Sequence, residues 1–274
     1  MKENKPCVLT IAGSDSSGGA GIQADIKTIS AIGCYAASVI TALTAQNTLG
    51  VQAIYEITPT FVSQQLESVF SDLTIKAVKI GMLHNEKIIA AVSSALQKFK
   101  PNSIILDPVM MSKNGCALID LQTLPLLQKI IFPFVTLITP NLREAELLLQ
   151  TKINTASEQE SAAIKMGNQF KINVLIKGGH LSGQRSSDVL YLYENKTCYW
   201  FHANRINSQN THGTGCSLSS AIASYLAKGH ALTDAIDHAK KYLTQAIEFG
   251  AALHVGRGCG PVDHFFNNKT LHCE

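Results

Sequence analysis

Short apolar runs recur along the chain and alternate with segments in which apolar residues repeat every three or four positions. The runs cover residues 7–12, 77–80, 103–106, 135–138 and 174–176, and residues 35–43 form a further candidate. Apolar runs without polar alternation are typical of parallel strands that are buried on both faces. The pattern therefore predicts parallel strands separated by helices.

The intervening segments carry the helical repeat. Ile22, Ile26 and Ile29 follow the i, i+4, i+7 spacing, and two further stripes begin after Pro59 and Asn85, residue types that suit a helix start. This alternation predicts an α/β protein with a doubly wound, mostly parallel central sheet and helices on both faces. Residues 188–201 alternate around a polar turn and predict a small antiparallel β-hairpin. We expect a single domain spanning residues 1–274.

Composition supports a large buried core. Hydrophobic residues make up 46% of the 274 residues and charged residues 16%, against roughly 25% charged residues in an average soluble domain. A disordered chain, which needs low hydrophobicity and high net charge, is excluded. The long charge-free stretch 28–55 contains too many polar residues for a lipid-facing helix.

The charge pattern and the cysteines bear on partners and location. The formal net charge is +3, and Lys240 and Lys241 are the only adjacent basic residues, so we expect neither a nucleic-acid nor a membrane partner. The N-terminal residues contain no apolar signal segment, and the seven cysteines form no Cys-x-x-Cys pair. Both features predict a cytoplasmic protein.

Polar residues follow each predicted strand where it ends. A glycine-rich loop at 13–21 follows the first strand, and Gly81, Asp107, Asn141 and Lys177 follow later ones. Ligands bind at the carboxyl edge of open parallel sheets, so these residues are expected to converge. Two carboxylate or amide groups, a lysine and a glycine-rich loop are what a nucleotide phosphate and its metal require.

The glycine-rich loop fits familiar nucleotide-binding motifs poorly. Residues 19–24 match G-x-G-x-x-A, but the dinucleotide motif also needs an acid about 20 residues further on, and residues 26–55 contain no Asp or Glu. The lysine of a P-loop is also missing at the required spacing. A turn that lets strand and helix pack closely remains an alternative.

A second glycine-containing loop, residues 210–217, precedes an apolar helix. Backbone N–H groups and the helix dipole would make an anion site there, and the same field would lower the pKa of the Cys216 thiol. A cysteine hydrolase is therefore an alternative, although His212 has no obvious orienting acid beside it in sequence. Cys216 could also simply fill space at the helix start.

Three further residues have open interpretations. Asp25 lies beside the apolar stripe of its helix, where it is either a carboxylate favoured by the helix dipole or an acid facing a ligand. Asn141 followed by Glu144 fits an N-terminal capping pattern. A metal-binding role for Glu144 is the competing interpretation.

Seven stretches together closely resemble the hydroxymethylpyrimidine/phosphomethylpyrimidine kinases of thiamine biosynthesis, which belong to the ribokinase-like superfamily. The resemblance extends from about residue 7 to residue 265, and its combination of motifs is highly specific. The stretches are GSDSSGGAGIQAD at 13–25, TALTAQNT at 41–48, KIGML at 79–83, LDPVM at 106–110, TPNLREA at 139–145, KGGH at 177–180 and HGTGC at 212–216.

The resemblance implies ATP-dependent phosphorylation of the hydroxymethyl group of 4-amino-5-hydroxymethyl-2-methylpyrimidine, and then of the monophosphate to the diphosphate. It also implies a small-molecule substrate, ATP and Mg²⁺ as cofactors, and a homodimer. A pyridoxal kinase of the same fold is the main alternative. An NAD-dependent oxidoreductase and a catalytically silent ligand-binding regulator are the rivals from other classes.

The family pattern, carried over residue by residue, also implies site roles. Gln46 would read the pyrimidine nitrogen and amino group, and Asp25 the polar edge of the substrate. Cys216 would accept the hydroxyl proton or form part of the anion site, a position at which related sugar kinases usually carry Asp. The other implied residues are Gly13, Ala20, Met82 and Val109 for the substrate, Lys177, Asn141 and Thr211 for ATP, Asp107 and Glu144 for Mg²⁺, and Gly213, Thr214 and Gly215 for the transferring phosphoryl group.

Overall fold

A computed structural model of the chain describes residues 5–111, 118–179 and 183–268. In these ranges nine strands form one sheet. The strands are β1 (Cys7–Asp15), β2 (Tyr35–Asn47), β3 (Gly50–Glu56), β4 (Ile75–Ile80), β5 (Ile104–Leu106), β6 (Leu137–Ile138), β7 (Asn173–Ile176), β8 (Arg185–Leu192) and β9 (Thr197–Asn204).

The helices follow the predicted alternation. They are α1 (Gly21–Ala31), α2 (Pro59–Asp72), α3 (Glu86–Phe99), α4 (Leu124–Ile130), α5 (Leu142–Leu149), α6 (Ala156–Phe170), α7 (Thr214–Ala227) and α8 (Leu232–Gly250). Thr58 and Asn85 cap α2 and α3 through their side-chain oxygens, and Pro59 occupies the first turn of α2. None of the helices in the described ranges is both long and apolar enough to cross a membrane.

The sheet order is β3-β2-β1-β4-β5-β6-β7-β8-β9, with parallel pairing from β2 to β7. Apolar residues alternate between its two faces. One face packs against α2 to α6 and the other against α1, α7 and α8. The predicted doubly wound α/β fold is confirmed.

Both ends of the sheet are antiparallel. The hairpin predicted for residues 188–201 is present as β8 and β9, with Lys196 in its turn at φ 55°. The other end carries a strand that the sequence pattern did not predict, since β2 continues to Asn47 and β3 folds back on it. This second hairpin brings Gln46 to the edge of the sheet where the strand-end loops lie.

Candidate functional site

Backbone hydrogen bonds place the residues that follow the parallel strands side by side. Gly81 N donates to Ile11 O, Asp107 N to Ile80 O, and Thr139 N to Leu106 O, each at 2.9 Å. Lys177 N donates to Pro140 O at the same distance, 2.9 Å. The strand ends therefore form one continuous edge, as expected for an open parallel sheet.

The loop before α7 closes over this edge. Gly213 is the residue before the helix, at φ +78°, and an added Cβ would lie 1.8 Å from the carbonyl oxygen of Gly19. Only glycine allows this approach between the two glycine-containing loops. The Thr214 hydroxyl donates to the Thr211 carbonyl at 3.1 Å and holds the loop in shape. The first-turn N–H groups of α7 have no carbonyl partner within the helix, so the start of α7 can serve as an anion site.

Lys177 and Asp107 form an ion pair next to that helix start. The Nζ–Oδ1 distance is 2.7 Å, and Thr139 Oγ1 donates to the same carboxylate oxygen at 3.2 Å. A Cβ on Gly215 would lie 3.3 Å from Asp107 Oδ2 and 3.4 Å from Lys177 Nζ. The pair therefore lies directly against the first turn of α7. Burial lowers the pKa of Lys177, but Asp107 and Glu144 outweigh it, so the net shift is upward.

Asn141 and Glu144 cap α5. The Asn141 side chain accepts from Glu144 N at 3.0 Å, and Glu144 Oε2 accepts from Asn141 N at 2.7 Å. The capping-box interpretation is confirmed. Burial raises the pKa of Glu144 to about 7, with Lys177 opposing the shift and Asp107 adding to it. A buried carboxylate in this environment gains from a nearby cation.

Cys216 lies where the starts of two helices meet. It occupies the first turn of α7, and the backbone N–H of Gly21 at the start of α1 bonds to its sulfur. The expectation of a lowered thiol pKa is nevertheless wrong. Burial raises the pKa of Cys216 to about 11, because the nearby Lys79 ammonium is outweighed by desolvation together with Asp25 and Asp107.

Asp25 is placed beneath the site rather than at its surface. Its carboxylate is fully buried, with Oδ2 accepting from Thr10 Oγ1 at 2.6 Å and from Lys79 Nζ at 2.8 Å. Its Oδ1 accepts from Ser220 Oγ at 2.7 Å. These three donors satisfy the carboxylate, so the expectation of a ligand-facing acid is wrong. Asp25 instead holds Lys79 near Cys216.

The residues expected to hold the substrate ring lie around the glycine-rich loop. Ala20 is the residue before α1, and a Cβ on Gly13 would lie 3.1 Å from the sulfur of Met82. Met82 is buried, and its carbonyl accepts from Thr41 Oγ1 at 2.6 Å. Val109, half-buried beyond β5, lines a small cavity. His180 of the KGGH stretch lies outside the described residues.

The sequence did not predict the contact between two residues of this region, His212 and Asp15. His212 Nε2 lies 2.8 Å from Asp15 Oδ2 and 3.2 Å from Gln46 Nε2. Burial raises the pKa of Asp15, but hydrogen bonds from His212 and Ser17 outweigh it and lower the pKa to about 2. His212 therefore has an orienting acid, contrary to expectation. The two residues are 197 positions apart, so no local sequence signal could have joined them.

The sheet order and the glycine-containing loop before α7 match the ribokinase-like class of kinases, as the solved structures of similar proteins also show. Residues 15–263 match the family described as phosphomethylpyrimidine kinase. The chain belongs to this family and is a phosphotransferase.

Individual relatives support this family assignment. The chain is 47% identical over 262 residues to the hydroxymethylpyrimidine/phosphomethylpyrimidine kinase of Salmonella typhimurium, covering 94% of this chain and 96% of the relative. The crystal structure of a phosphomethylpyrimidine kinase from Clostridium difficile is 43% identical with a TM-score of 0.78, covering 89% of this chain and all of the other. A Staphylococcus aureus pyridoxal kinase in complex with AMP-PCP and pyridoxal is 30% identical with a TM-score of 0.87, covering 98% and 96%. The chain spans about half the length of the bifunctional thiamine biosynthesis proteins that it also matches.

Proposed function

We propose that this chain uses ATP to phosphorylate the hydroxymethyl group of 4-amino-5-hydroxymethyl-2-methylpyrimidine and then converts the monophosphate to the diphosphate, in thiamine biosynthesis. The observation that carries the proposal is the convergence at Cys216. The starts of α1 and α7 meet there, with Lys177 and Asp107 packed against the same turn of α7. A site of this kind suits a phosphoryl group in transfer between two oxygens.

Phosphoryl transfer needs positioning and charge stabilisation more than covalent help from the protein. The backbone N–H groups of Gly213, Thr214 and Gly215 would hold the transferring group. Lys177, Asn141 and Thr211 would hold the ATP phosphates, since Asn141 and Lys177 lie on neighbouring strand ends joined by a bridge. Cys216 would take the hydroxyl proton as the new bond forms. With a pKa of about 11 its thiolate is the minor form at neutral pH.

Mg²⁺ fits the carboxylates beside Lys177. Magnesium uses one or two protein carboxylates together with substrate phosphates and waters, and Asp107 and Glu144 supply two buried carboxylates near one ammonium. Burial raises the pKa of Glu144, and Asp107 adds to the shift, so a cation bound beside the two carboxylates would stabilise their charged forms. When bound, the ion would neutralise charge on the phosphates, and Asp107 and Glu144 would hold it there.

The ring of the substrate would lie between Gly13, Ala20, Met82 and Val109, with Gln46 reading its nitrogen and amino group. Gln46 is well placed for this task because its main chain is fixed to the glycine-rich loop. Its N–H donates to Ser16 Oγ, and its carbonyl accepts from Ser16 Oγ, both at 2.8 Å. The amide is therefore presented at the mouth of the loop.

We also propose that the chain is a single domain that works as a homodimer in the cytoplasm. Leu43 and Tyr55 are opposite one another on β2 and β3 and are 39% and 70% exposed, so the edge hairpin carries an apolar patch. Exposed apolar patches and edge strands are characteristic of protein interfaces. The cysteines at positions 7, 34, 198 and 216 form no disulfide, which suits a reducing compartment.

The test is ADP release by the purified chain with Mg²⁺–ATP and one acceptor at a time. The acceptors are the hydroxymethylpyrimidine, its monophosphate and pyridoxal, with a no-acceptor blank. We expect turnover with both pyrimidines, and a fall of roughly 10²- to 10⁴-fold in turnover for Cys216→Ala, the range for acid–base residues. Turnover with pyridoxal alone would support a pyridoxal kinase, and no ADP with any acceptor would support a ligand-binding regulator.

A further inference from the structure

His212, Asp15 and Gln46 form a hydrogen-bonded cluster that joins three separate segments beside the glycine-rich loop. Asp15 ends β1, Gln46 lies near the end of β2, and His212 precedes the start of α7. The Asp15 and His212 side chains are 3% and 14% exposed. The phosphoryl-transfer role assigned above to the strand edge uses neither of them.

The imidazole ring is held firmly in place. A Cβ on Gly19 would lie 2.4 Å from His212 Cδ2, so the ring packs directly against that glycine. The main-chain N–H of His212 donates to Gly260 O at 3.0 Å. Asp15 is fixed as well, because its carboxylate accepts from Ser17 N and from Ala20 N, each at 2.8 Å. The cluster is thus rigid before any substrate arrives.

The hydrogen bonds decide which imidazole nitrogen carries the proton. Asp15 is ionised at neutral pH and can only accept. Its Oδ2 lies 2.8 Å from His212 Nε2, so that nitrogen must carry a hydrogen and donate it. A donor nitrogen cannot also accept from the Gln46 amide nitrogen. We therefore assign the Gln46 amide with its oxygen, Oε1, towards His212, which exchanges the positions of Oε1 and Nε2 relative to the contact described above.

Thr44, on the other side of the Gln46 amide, is compatible with the same orientation, because Ser14 O is the nearer of the two acceptors for its hydroxyl proton. The Thr44 hydroxyl has a single proton, which it donates to Ser14 O at 2.9 Å. Its oxygen is then free to accept, and the other end of the Gln46 amide lies 3.1 Å away. An amide nitrogen at that end satisfies Thr44, whereas an amide oxygen would face another acceptor. The same orientation of the Gln46 amide therefore satisfies both His212 and Thr44.

We propose that His212, oriented by Asp15, is a positioning residue that fixes the Gln46 amide with its oxygen towards His212 and its nitrogen towards Thr44, and so sets the enzyme's preference for an aminopyrimidine. The inference rests on the proposed function. An aminopyrimidine presents a ring nitrogen, which accepts, beside an amino group, which donates. The fixed amide offers one donor and one acceptor in a single order. The ring nitrogen of pyridoxal lies between a methyl-bearing carbon and a C–H group, so pyridoxal has no donor beside that nitrogen and cannot use both groups of the amide.

The kinetic test compares His212→Phe with His212→Gln. Phenylalanine keeps the ring and removes the donor, whereas the glutamine Nε2 can replace the imidazole Nε2. We expect His212→Phe to raise the KM for the hydroxymethylpyrimidine about tenfold, since a misoriented amide loses roughly one hydrogen bond. The KM for ATP and the binding of pyridoxal, measured as substrate or as competitive inhibitor, should change less than twofold. His212→Gln should restore most of the loss.

The spectroscopic test does not need catalysis. In ¹⁵N-histidine-labelled wild-type protein, the His212 resonances, assigned by their absence in His212→Gln, should show the proton on Nε2. In Asp15→Asn the carboxamide can donate, and we expect the proton to move to Nδ1. Asp15→Asn should also raise the KM for the pyrimidine.

The outcomes separate the two proposals. Wild-type protein that releases no ADP with the pyrimidine contradicts the proposed function and leaves the NMR test of the cluster intact. An Nε2 without a proton in wild type, equal KM changes for the pyrimidine and pyridoxal, or no difference between His212→Gln and His212→Phe would each overturn the inference. If His212→Phe does not fold, the position of the proton in wild type decides the question.

Discussion

Two lysine–aspartate pairs lie near the start of α7, and they are almost equal in length. Lys79 Nζ lies 2.8 Å from Asp25, and Lys177 Nζ lies 2.7 Å from Asp107. Their surroundings differ. Lys79 and Asp25 have no exposed side-chain surface, whereas Lys177 retains 15%.

Asp25 is saturated by Thr10 and Ser220 in addition to Lys79, so a ligand finds no free group there. Lys177 projects to the open edge beside Gly215. Distance and charge alone do not distinguish a structural ion pair from a functional one. Burial and the number of other hydrogen-bond partners distinguish the two kinds of pair. A buried pair whose hydrogen-bonding groups are all satisfied can only position the neighbouring residues.

Breaking the buried Lys79–Asp25 pair should change the free energy of unfolding more than any other substitution proposed below. Lys79→Met leaves the Asp25 carboxylate buried without its cation, which should lower the free energy of unfolding by about 3–5 kcal/mol. Urea denaturation measures this change. The double variant Lys79→Met/Asp25→Asn removes both charges and should recover much of the loss. Lys76→Met, on the exposed part of the same strand, is the control, with a change within about 0.5 kcal/mol. A single-variant loss as small as that of the control would contradict the comparison.

Breaking the partly exposed Lys177–Asp107 pair should instead reduce catalysis. Lys177→Met removes a positive group that stabilises charge in the transition state, and we expect kcat to fall by roughly 10²- to 10³-fold. Its loss of unfolding free energy should be smaller than that of Lys79→Met. Steady-state ADP release and urea denaturation on the same preparation give both values. A variant of near-normal kcat with the larger stability loss would reverse the assignment of the two pairs.

His264 makes the start of α7 sensitive to acid through its contact with Ser217. The Ser217 hydroxyl donates to Gly213 O at 2.9 Å and lies 3.0 Å from His264 Nε2, so it accepts from that nitrogen. Burial, and to a smaller extent Lys27, lowers the pKa of His264 to about 4.

Because the unfolded chain binds this proton first, the contribution of His264 to stability is complete above pH 6.5 and is lost as the pH falls towards 4. The loss amounts to about 3 kcal/mol. Unfolding free energies measured across this range should fall less steeply for His264→Gln than for wild type. Parallel curves would show that His264 is protonated equally in both states.

The smallest expected effect separates two roles of Asn141 at the open edge. Serine caps a helix about as well as asparagine, whereas alanine costs about 1 kcal/mol. Asn141→Ser should therefore keep the unfolding free energy of wild type, and Asn141→Ala should lose about that amount. If the amide also binds phosphate, both variants should raise the KM for ATP, by about tenfold for one lost hydrogen bond to a charged group. An unchanged KM for ATP in Asn141→Ser would leave Asn141 as a cap only.

Local patterns predicted the parts of the fold that depend on local interactions. Apolar runs identified the buried parallel strands, and the Asn141–Glu144 spacing identified a capping box that the structure contains. The strand β3 was not predicted, because its residues are mostly exposed and show no apolar pattern. Its strand conformation depends on hydrogen bonding to β2. The motifs at the strand ends predicted the family, which the comparisons confirm.

The pKa of Cys216 shows where local reasoning fails. Its position at a helix start favours a thiolate, and the sequence shows that position. Its desolvation and the nearby Asp25 and Asp107 carboxylates raise the pKa instead, and these come from distant parts of the chain.

The order of the amino acids is enough to show which residue types stand at the ends of the strands, and hence the class of chemistry expected at that edge. Packing determined which of them are buried among other side chains and which keep exposed surface at that edge. Asp25 is buried in an ion pair with Lys79, and Asp15 contacts His212, which is far from it in sequence. The physical reason is that hydrogen-bond partners and solvent exposure belong to the packed molecule, while spacing along the chain reports only which side of one helix or strand a residue occupies.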